Sequence, residues 1–318
     1  MNNDIKIATR ESFGKHIVEL GKKHEEIVVL DSDLSKATKT DFFAKEFPNR
    51  FFDMGIAEAD MMGTSAGLAT CGKIPFAASF AVFSTGRCYD QIRNSICYPN
   101  LKVRIIGTHA GITVGEDGAT HQMLEDINLM RGLPNMHVFS PSDDVTTRLV
   151  MDKALEIDGP VYIRLARQAT PVIYDENTTY NQALVHGDGN DLTIFATGTE
   201  VYQALEAKNI IESQEINGKK PRCRVVDILS IKPIDKNIIV ECAKQTNCLV
   251  SVEDHNIIGG LGSAIAEVLI EEYPKKLNRI GINDTFTQSG KASELVKKYG
   301  LDAESIADRC IEILKKTL

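Results

Sequence analysis

The sequence contains no tryptophan, only 10 prolines in 318 residues, and no apolar run near the roughly 20 residues that a membrane span requires. Its first residues, MNNDIKIATRES, lack a basic segment followed by an apolar one, so neither a secretory leader nor a membrane anchor is expected. Positive charge is in short supply. Thirty-six Lys and Arg against 44 Asp and Glu leave a net charge of −8, with no basic cluster to offset it. That balance argues against a nucleic-acid or membrane partner, and any polyphosphate must be met by a few local cations. The seven cysteines are scattered, with no C-x-x-C pair and no histidine ligand pattern beside them. Neither a disulfide framework nor a metal site is supported, and the expected compartment is the cytoplasm. Repeats of solenoid period and low-complexity tracts are also missing. What remains, 43% apolar and 25% charged residues, describes a globular chain long enough for two domains, each with its own core.

Hydrophobic periodicity alternates between helix and strand from end to end. A helical period over 9–22 precedes the apolar run Ile27–Leu30, which ends at Asp31-Ser32-Asp33. The pattern then predicts helix 38–46, strand 51–53, helix 57–71, strand 74–79, helix 84–96, strand 103–107 and a glycine-rich loop 108–120. Helix 123–130, strand 137–139, helix 142–156 and strand 161–165 follow. Period is lost around Pro171 and the Gly187-Asp188-Gly189 turn. A second alternating unit comes next, with strands 191–197, 223–228, 248–253 and 278–282, helices 200–213, 235–244 and 263–273, and terminal helices 291–298 and 302–316. The fold class expected is α/β, as two consecutive doubly wound domains. Residues 1–170 form the first, with a parallel sheet, 171–190 the linker, and 191–318 the second.

Four stretches invite a chemical reading. RFFDMGIAEADMMGTSAGL (50–68) runs from a short aromatic strand through Gly55 into a helix whose first turn carries Glu58. An acid there is either a solvated carboxylate favoured by the helix dipole or one held dry by its apolar flanks and tuned for proton transfer. The loop THAGITVGEDGATHQ, with the residue before it, sets His109, Glu116, Asp117 and His121 among Gly107, Gly111, Gly115 and Gly118, a composition that lets backbone approach a ligand while imidazoles bind hydroxyls or phosphates. Gly259-Gly260-Leu261-Gly262 does not fit a dinucleotide fingerprint, since Ile265 stands where the third glycine is needed; it reads as a tight turn before a helix. Gly187-Asp188-Gly189 with Asn217 has the spacing of a magnesium–diphosphate motif, yet the triplet precedes its strand instead of closing one, so that reading fails too.

Taken together, these segments resemble the C-terminal part of transketolase over nearly the whole chain, so that the two domains resemble its thiamine pyrimidine-binding and C-terminal domains. MGIAEADMM is similar to the segment whose glutamate touches the thiamine pyrimidine, which is Glu58 here. FAVFSTGRCYDQIR resembles the segment that lays an aromatic ring on that pyrimidine, by position Phe80 with Phe83 behind it. THAGITVGEDGATHQ is similar to the substrate loop and YIRLARQATP to the phosphate-binding strand end. The resemblance implies cofactor contacts from Glu58, Phe80, Phe83 and Asp33, substrate contacts from Arg10, His109, Asp117, His121 and Arg167, and catalytic roles for Glu58, His109 and His121. No metal ligand is implied for this chain.

Two departures from the family pattern stand out. Full transketolases carry an N-terminal domain that binds the cofactor diphosphate through a metal, and this chain starts at the pyrimidine domain. Ala77/Ala78 replace a second aromatic before Phe80, and Lys36/Ala37 stand where the family tends to have serine. The resemblance therefore implies the small subunit of a split, thiamine diphosphate-dependent transketolase of the pentose phosphate pathway. Its partner would be an N-terminal subunit holding the diphosphate and Mg2+ or Ca2+, in a heterotetramer built on a homodimer of this chain, with sugar phosphates as substrates. Deoxyxylulose-phosphate synthase and the beta subunit of 2-oxo acid dehydrogenases share the architecture. The Glu116-Asp117 pair speaks against the first, and VGEDGATHQ with the phosphate arginines against the second. A non-catalytic partner of another thiamine enzyme is a further alternative, which Glu58 and Phe80 disfavour.

Overall fold

Short apolar runs become strands in a computed structural model that describes residues 2–317. In chain order they are β1 (Asn2–Ala8), β2 (Ile27–Asp31), β3 (Phe51–Asp53), β4 (Ile74–Phe80), β5 (Arg104–Thr108), β6 (His137–Phe139) and β7 (Val161–Arg164). They continue with β8 (Ala169–Val172), β9 (Ala183–His186), β10 (Leu192–Ala196), β11 (Cys223–Ile228), β12 (Ser230–Lys232), β13 (Cys248–Asn256) and β14 (Leu277–Ile282). Helices fill most of the intervals, so the chain is α/β as its periodicity requires.

One sheet has the order β12-β6-β7-β5-β4-β2-β3 and is parallel except for β12; a second has the order β14-β13-β10-β11-β9 and is parallel except for β9. β1 and β8 form a small antiparallel pair. Because side chains alternate across a strand, Ile27 and Val29 enter one core while Val28 and Leu30 enter another. The second core also takes Phe195, Val226 and Leu249 from the second sheet, so one continuous apolar layer lies between the two halves. Among the described residues, no helix is long and apolar enough to cross a membrane.

The departures from the periodicity have local causes. The expected helix 38–46 is broken at Lys39, which sits at φ 72°, leaving helical pieces Ser35–Thr38 and Asp41–Glu46. The buried Asp31 carboxylate enforces the break by accepting from Leu34 N at 2.7 Å, Thr38 Oγ1 at 2.7 Å and Thr40 Oγ1 at 2.8 Å. In place of helix 84–96 there are two wide π-helical turns, Val82–Arg87 and Ile92–Cys97, flanking Tyr89–Gln91. Strand β9 falls inside the stretch 171–190, and β12 leaves the second half to pair with β6 at the edge of the first sheet. Both are short edge strands whose partners are distant in sequence, which periodicity does not encode.

Asp227, at the carboxyl end of β11, joins the halves. Its Oδ2 accepts from Ser142 Oγ at 2.6 Å and Tyr174 Oη at 2.9 Å, while Oδ1 is buried without a partner. Burial pushes its carboxyl from an ordinary 3.8 up to about 7. A raised acid stabilises the fold below its unfolded value, and that contribution is lost as pH rises through the folded one. Asp227→Asn, neutral at every pH, should therefore gain stability relative to wild type between pH 5 and pH 8, by up to roughly 1 kcal/mol per pH unit in the steepest part. Urea unfolding of both proteins across that range checks this, and a pH-independent difference would contradict it.

Candidate active site

The carboxyl ends of β2, β4, β5 and β7 point to one edge of the first sheet, where open parallel sheets receive ligands. Asp33, Phe80, His109 and Arg167 lie at or just beyond those ends. Glu58 opens the helix Glu58–Thr70, and its side chain is 2% exposed, so the solvated-turn alternative does not describe it. Its Oε2 accepts from Arg87 Nη1 at 2.7 Å. The Arg87 side chain is 51% exposed and its guanidinium lies 4.9 Å from the centre of the Phe83 ring. The wide turn Val82–Arg87 brings Phe83 and Arg87 to this place together.

Flat rings gather beside the acid. Phe80 and Phe83 are nearly parallel, 9° apart with centroids at 6.0 Å, and His109 stacks on Phe80 at 3.8 Å. His121 stands edge-on to Phe83 at 5.4 Å. A buried carboxyl group next to stacked phenyl faces offers the hydrogen-bonding and stacking contacts that a planar heteroaromatic ring requires, so the residues fit a pyrimidine. Asp33 is the exception among the proposed cofactor residues. It is exposed at φ 62°, and its backbone N–H donates to Asp53 Oδ1 at 3.1 Å.

A second group collects positive charge. Arg10 Nη1 donates to Ala37 O at 2.7 Å and to His109 Nε2 at 3.1 Å. Arginine can only donate, so Nε2 is the acceptor and the ring hydrogen sits on Nδ1, facing Thr108 Oγ1 at 3.0 Å. Thr108 accepts it because its own hydroxyl donates to Ser79 O at 3.2 Å. Burial, then Arg10, Arg167 and Lys39, push the His109 pKa down to about 3. The imidazole is thus neutral at physiological pH, with Nε2 accepting from Arg10. Burial and then Arg167 lower the Arg10 pKa, and Arg10 Nε is buried without a partner. Such an orphaned donor between cations suits an anion. Arg167 donates through Nη1 to Val114 O at 2.5 Å and lies 3.7 Å from Asp117 Oδ2.

Periodicity and composition missed Arg87, Lys39 and a buried ionic cluster of Asp126, Arg164, Glu200, Glu253 and Asp254. The cluster had a signal: Glu253-Asp254-His255 places three ionisable residues in a row at the end of an otherwise apolar strand. Among the described residues, no group of three or more His, Cys, Asp or Glu side chains could hold a metal ion.

Comparison with known proteins agrees with this geometry. Residues 5–172 match the transketolase pyrimidine binding domain and residues 181–306 the transketolase C-terminal domain. A putative transketolase C-terminal section of Methanocaldococcus jannaschii is 52% identical over 312 residues, covering 96% of both chains. A solved structure described as a split gene transketolase, inactive beta4 tetramer, superposes with a TM-score of 0.89 at 50% identity, covering 98% of this chain and 99% of that one. Human transketolase is 32% identical over 98% of this chain, which spans only 50% of the human protein. With both halves matched and the acid and rings standing at the sheet edge where a pyrimidine would be met, the chain belongs to the transketolase family.

Proposed function

We propose that the chain is the small, C-terminal subunit of a two-chain transketolase that moves a two-carbon ketol unit from a ketose phosphate to an aldose phosphate. The observation that carries this reading is the buried Glu58 carboxylate beside the Phe80 and Phe83 rings, at the same edge as Arg10, His109 and Arg167. Thiamine diphosphate would supply the nucleophilic carbon. Glu58 would hydrogen-bond a pyrimidine nitrogen, and Phe80, with Phe83 behind it, would hold the ring by its face. Asp33, exposed at the same edge, would meet the cofactor only in the assembled enzyme. His109 would accept a substrate hydroxyl at Nε2 in exchange for Arg10 Nη1, which donates to that lone pair here, and His121 would orient a second hydroxyl. Arg10 and Arg167 would bind the phosphate, with Asp117 holding Arg167 in place.

The diphosphate and its metal, Mg2+ or Ca2+, would be held by a partner chain, a reading supported by the half of human transketolase that this chain leaves unmatched. Two copies of this chain with two partners would make a heterotetramer, and the exposed Phe52 and Ile56 beside Glu58 suit such an interface. Seven free thiols suit the cytoplasm. The test is co-purification of the native complex and assay of two-carbon transfer on a panel of ketose phosphates. A stable complex that turns over none of them refutes the proposal.

If the arginines bind phosphate, Arg10→Ala or Arg167→Ala removes a charge-assisted hydrogen bond worth about 1.5–3 kcal/mol, a roughly ten- to hundredfold loss of kcat/KM on phosphorylated donors. Unphosphorylated donors should lose far less. Steady-state kinetics with D-fructose 6-phosphate and D-fructose compare the two, and equal losses would take the arginines out of the site.

A further inference from the structure

The glycine loop carries residues proposed to meet the substrate, and the second half of the chain holds it from both sides. Asp254, buried in β13, accepts the Ile112 N–H with both carboxylate oxygens, at 3.0 and 3.1 Å. Gly111, at φ 82°, makes room for this: a Cβ there would stand 1.9 Å from Asp254 Oδ2. Asp254 is in turn fixed from the first sheet, since Arg164 donates through Nη2 to its carbonyl oxygen at 2.7 Å and through Nε to Asp126 Oδ2 at 2.9 Å.

On the loop's other side, Gln122 Nε2 faces three carbonyl oxygens, Gln288 O at 3.0 Å, Gly115 O at 3.1 Å and Ile112 O at 3.4 Å. Thr287 donates its hydroxyl to Gln122 Oε1. The helix Ala292–Lys298 packs on the turn Ile112–Asp117, and a Cβ on Gly118 would stand 2.3 Å from Ser289 Oγ. This turn is also where Arg167 rests, through Val114 O, so a displaced turn displaces the arginine.

We propose that Asp254 is a positioning residue for the substrate, acting through the Ile112 N–H to hold the turn Ile112–Asp117 against Arg167. The role rests on the function proposed above, and Asp254 itself touches no reacting group. It gives the second half of the chain a part in substrate binding although the proposed cofactor residues all lie in the first.

The experiment compares Asp254→Ala, Asp254→Asn and Thr287→Val. Hydrogen exchange over residues 111–118 is followed in the full chain, and kcat and KM for D-fructose 6-phosphate are measured in the two-chain complex. Asp254→Ala should speed exchange at Ile112 at least about tenfold and raise KM roughly tenfold, with kcat within about twofold of wild type. Asp254→Asn keeps one acceptor oxygen and should recover most of both losses. A folded Ala variant with unchanged loop exchange and KM overturns the proposal, as does an Asn variant no better than Ala. If Asp254→Ala fails to fold, Asp254→Asn decides: exchange at Ile112 and KM both raised about two- to threefold support the proposal, and wild-type values for both refute it. Thr287→Val, which loosens only the Gln122 side, is the control. Faster loop exchange in a complex whose wild type turns over no ketose phosphate would refute the proposed function while leaving the anchoring of the loop intact.

Discussion

Glu58→Gln is expected to slow exchange of the thiazolium carbon-bound hydrogen at least about 100-fold in the assembled two-chain enzyme, with the fold and partner binding retained. The substitution keeps size and shape and removes the acid. A carboxylate serving only the helix dipole would contribute about 0.3–1 kcal/mol to stability and nothing to exchange, whereas general acid–base roles are worth roughly 10²–10⁴-fold in rate. Burial separates these cases in advance, since a side chain 2% exposed is not a solvated first-turn acid. The loss of its ionic partner does not confound the test. Arg87 is 51% exposed and can turn into water, so no unpaired charge is left buried. Deuterium exchange followed by NMR, with melting temperature as the control, is the measurement. Wild-type exchange in the Gln variant would reduce Glu58 to a structural acid.

Much of the sheet was legible because fully buried parallel strands read as continuous apolar runs, as in Ile27–Leu30 and Leu192–Ala196. The edge strands were not. β9 and β12 pair antiparallel with strands that periodicity cannot assign to them, and β12 crosses to the other half's sheet. Lys39 was hidden inside a helical pattern because the break comes from Asp31, a carboxylate eight residues earlier that gathers two threonine hydroxyls and a backbone N–H.

The site divides in the same way. Glu58, Phe80 and the histidines stand in short segments whose composition is itself unusual, so they could be singled out. Arg87 could not: it lies 29 residues from Glu58, and its reach depends on a π-helical turn with wider spacing than the 3.6 period assumed for residues 84–96. The tautomer of His109 was also invisible, because it is set by Arg10, 99 residues away. Sequence supplied two candidate proton shuttles; the structure leaves His109 as a neutral acceptor, its pKa pushed down to about 3.

Thiamine diphosphate is expected to bind the isolated chain at least about 100-fold more weakly than the two-chain complex, with magnesium present in both titrations. The difference rests on which cofactor atoms this chain can satisfy. It offers the Phe80 ring, with Phe83 behind it, and one buried acid, which together would recognise the pyrimidine end. Each charge-assisted hydrogen bond to a phosphate oxygen is worth about 1.5–3 kcal/mol, so two of them supplied by a partner already account for a factor of roughly 10² or more. Arg10 and Arg167 are not counted toward the diphosphate, since the proposed function gives both to the substrate phosphate. A second titration sharpens the test. Thiamine without its diphosphate should bind the isolated chain about as weakly as the full cofactor, because only the shared pyrimidine is recognised, whereas the complex should strongly prefer the diphosphate. Calorimetry reads both comparisons, and micromolar binding of thiamine diphosphate by the chain alone would mean that it holds the charged end itself and is no half-enzyme.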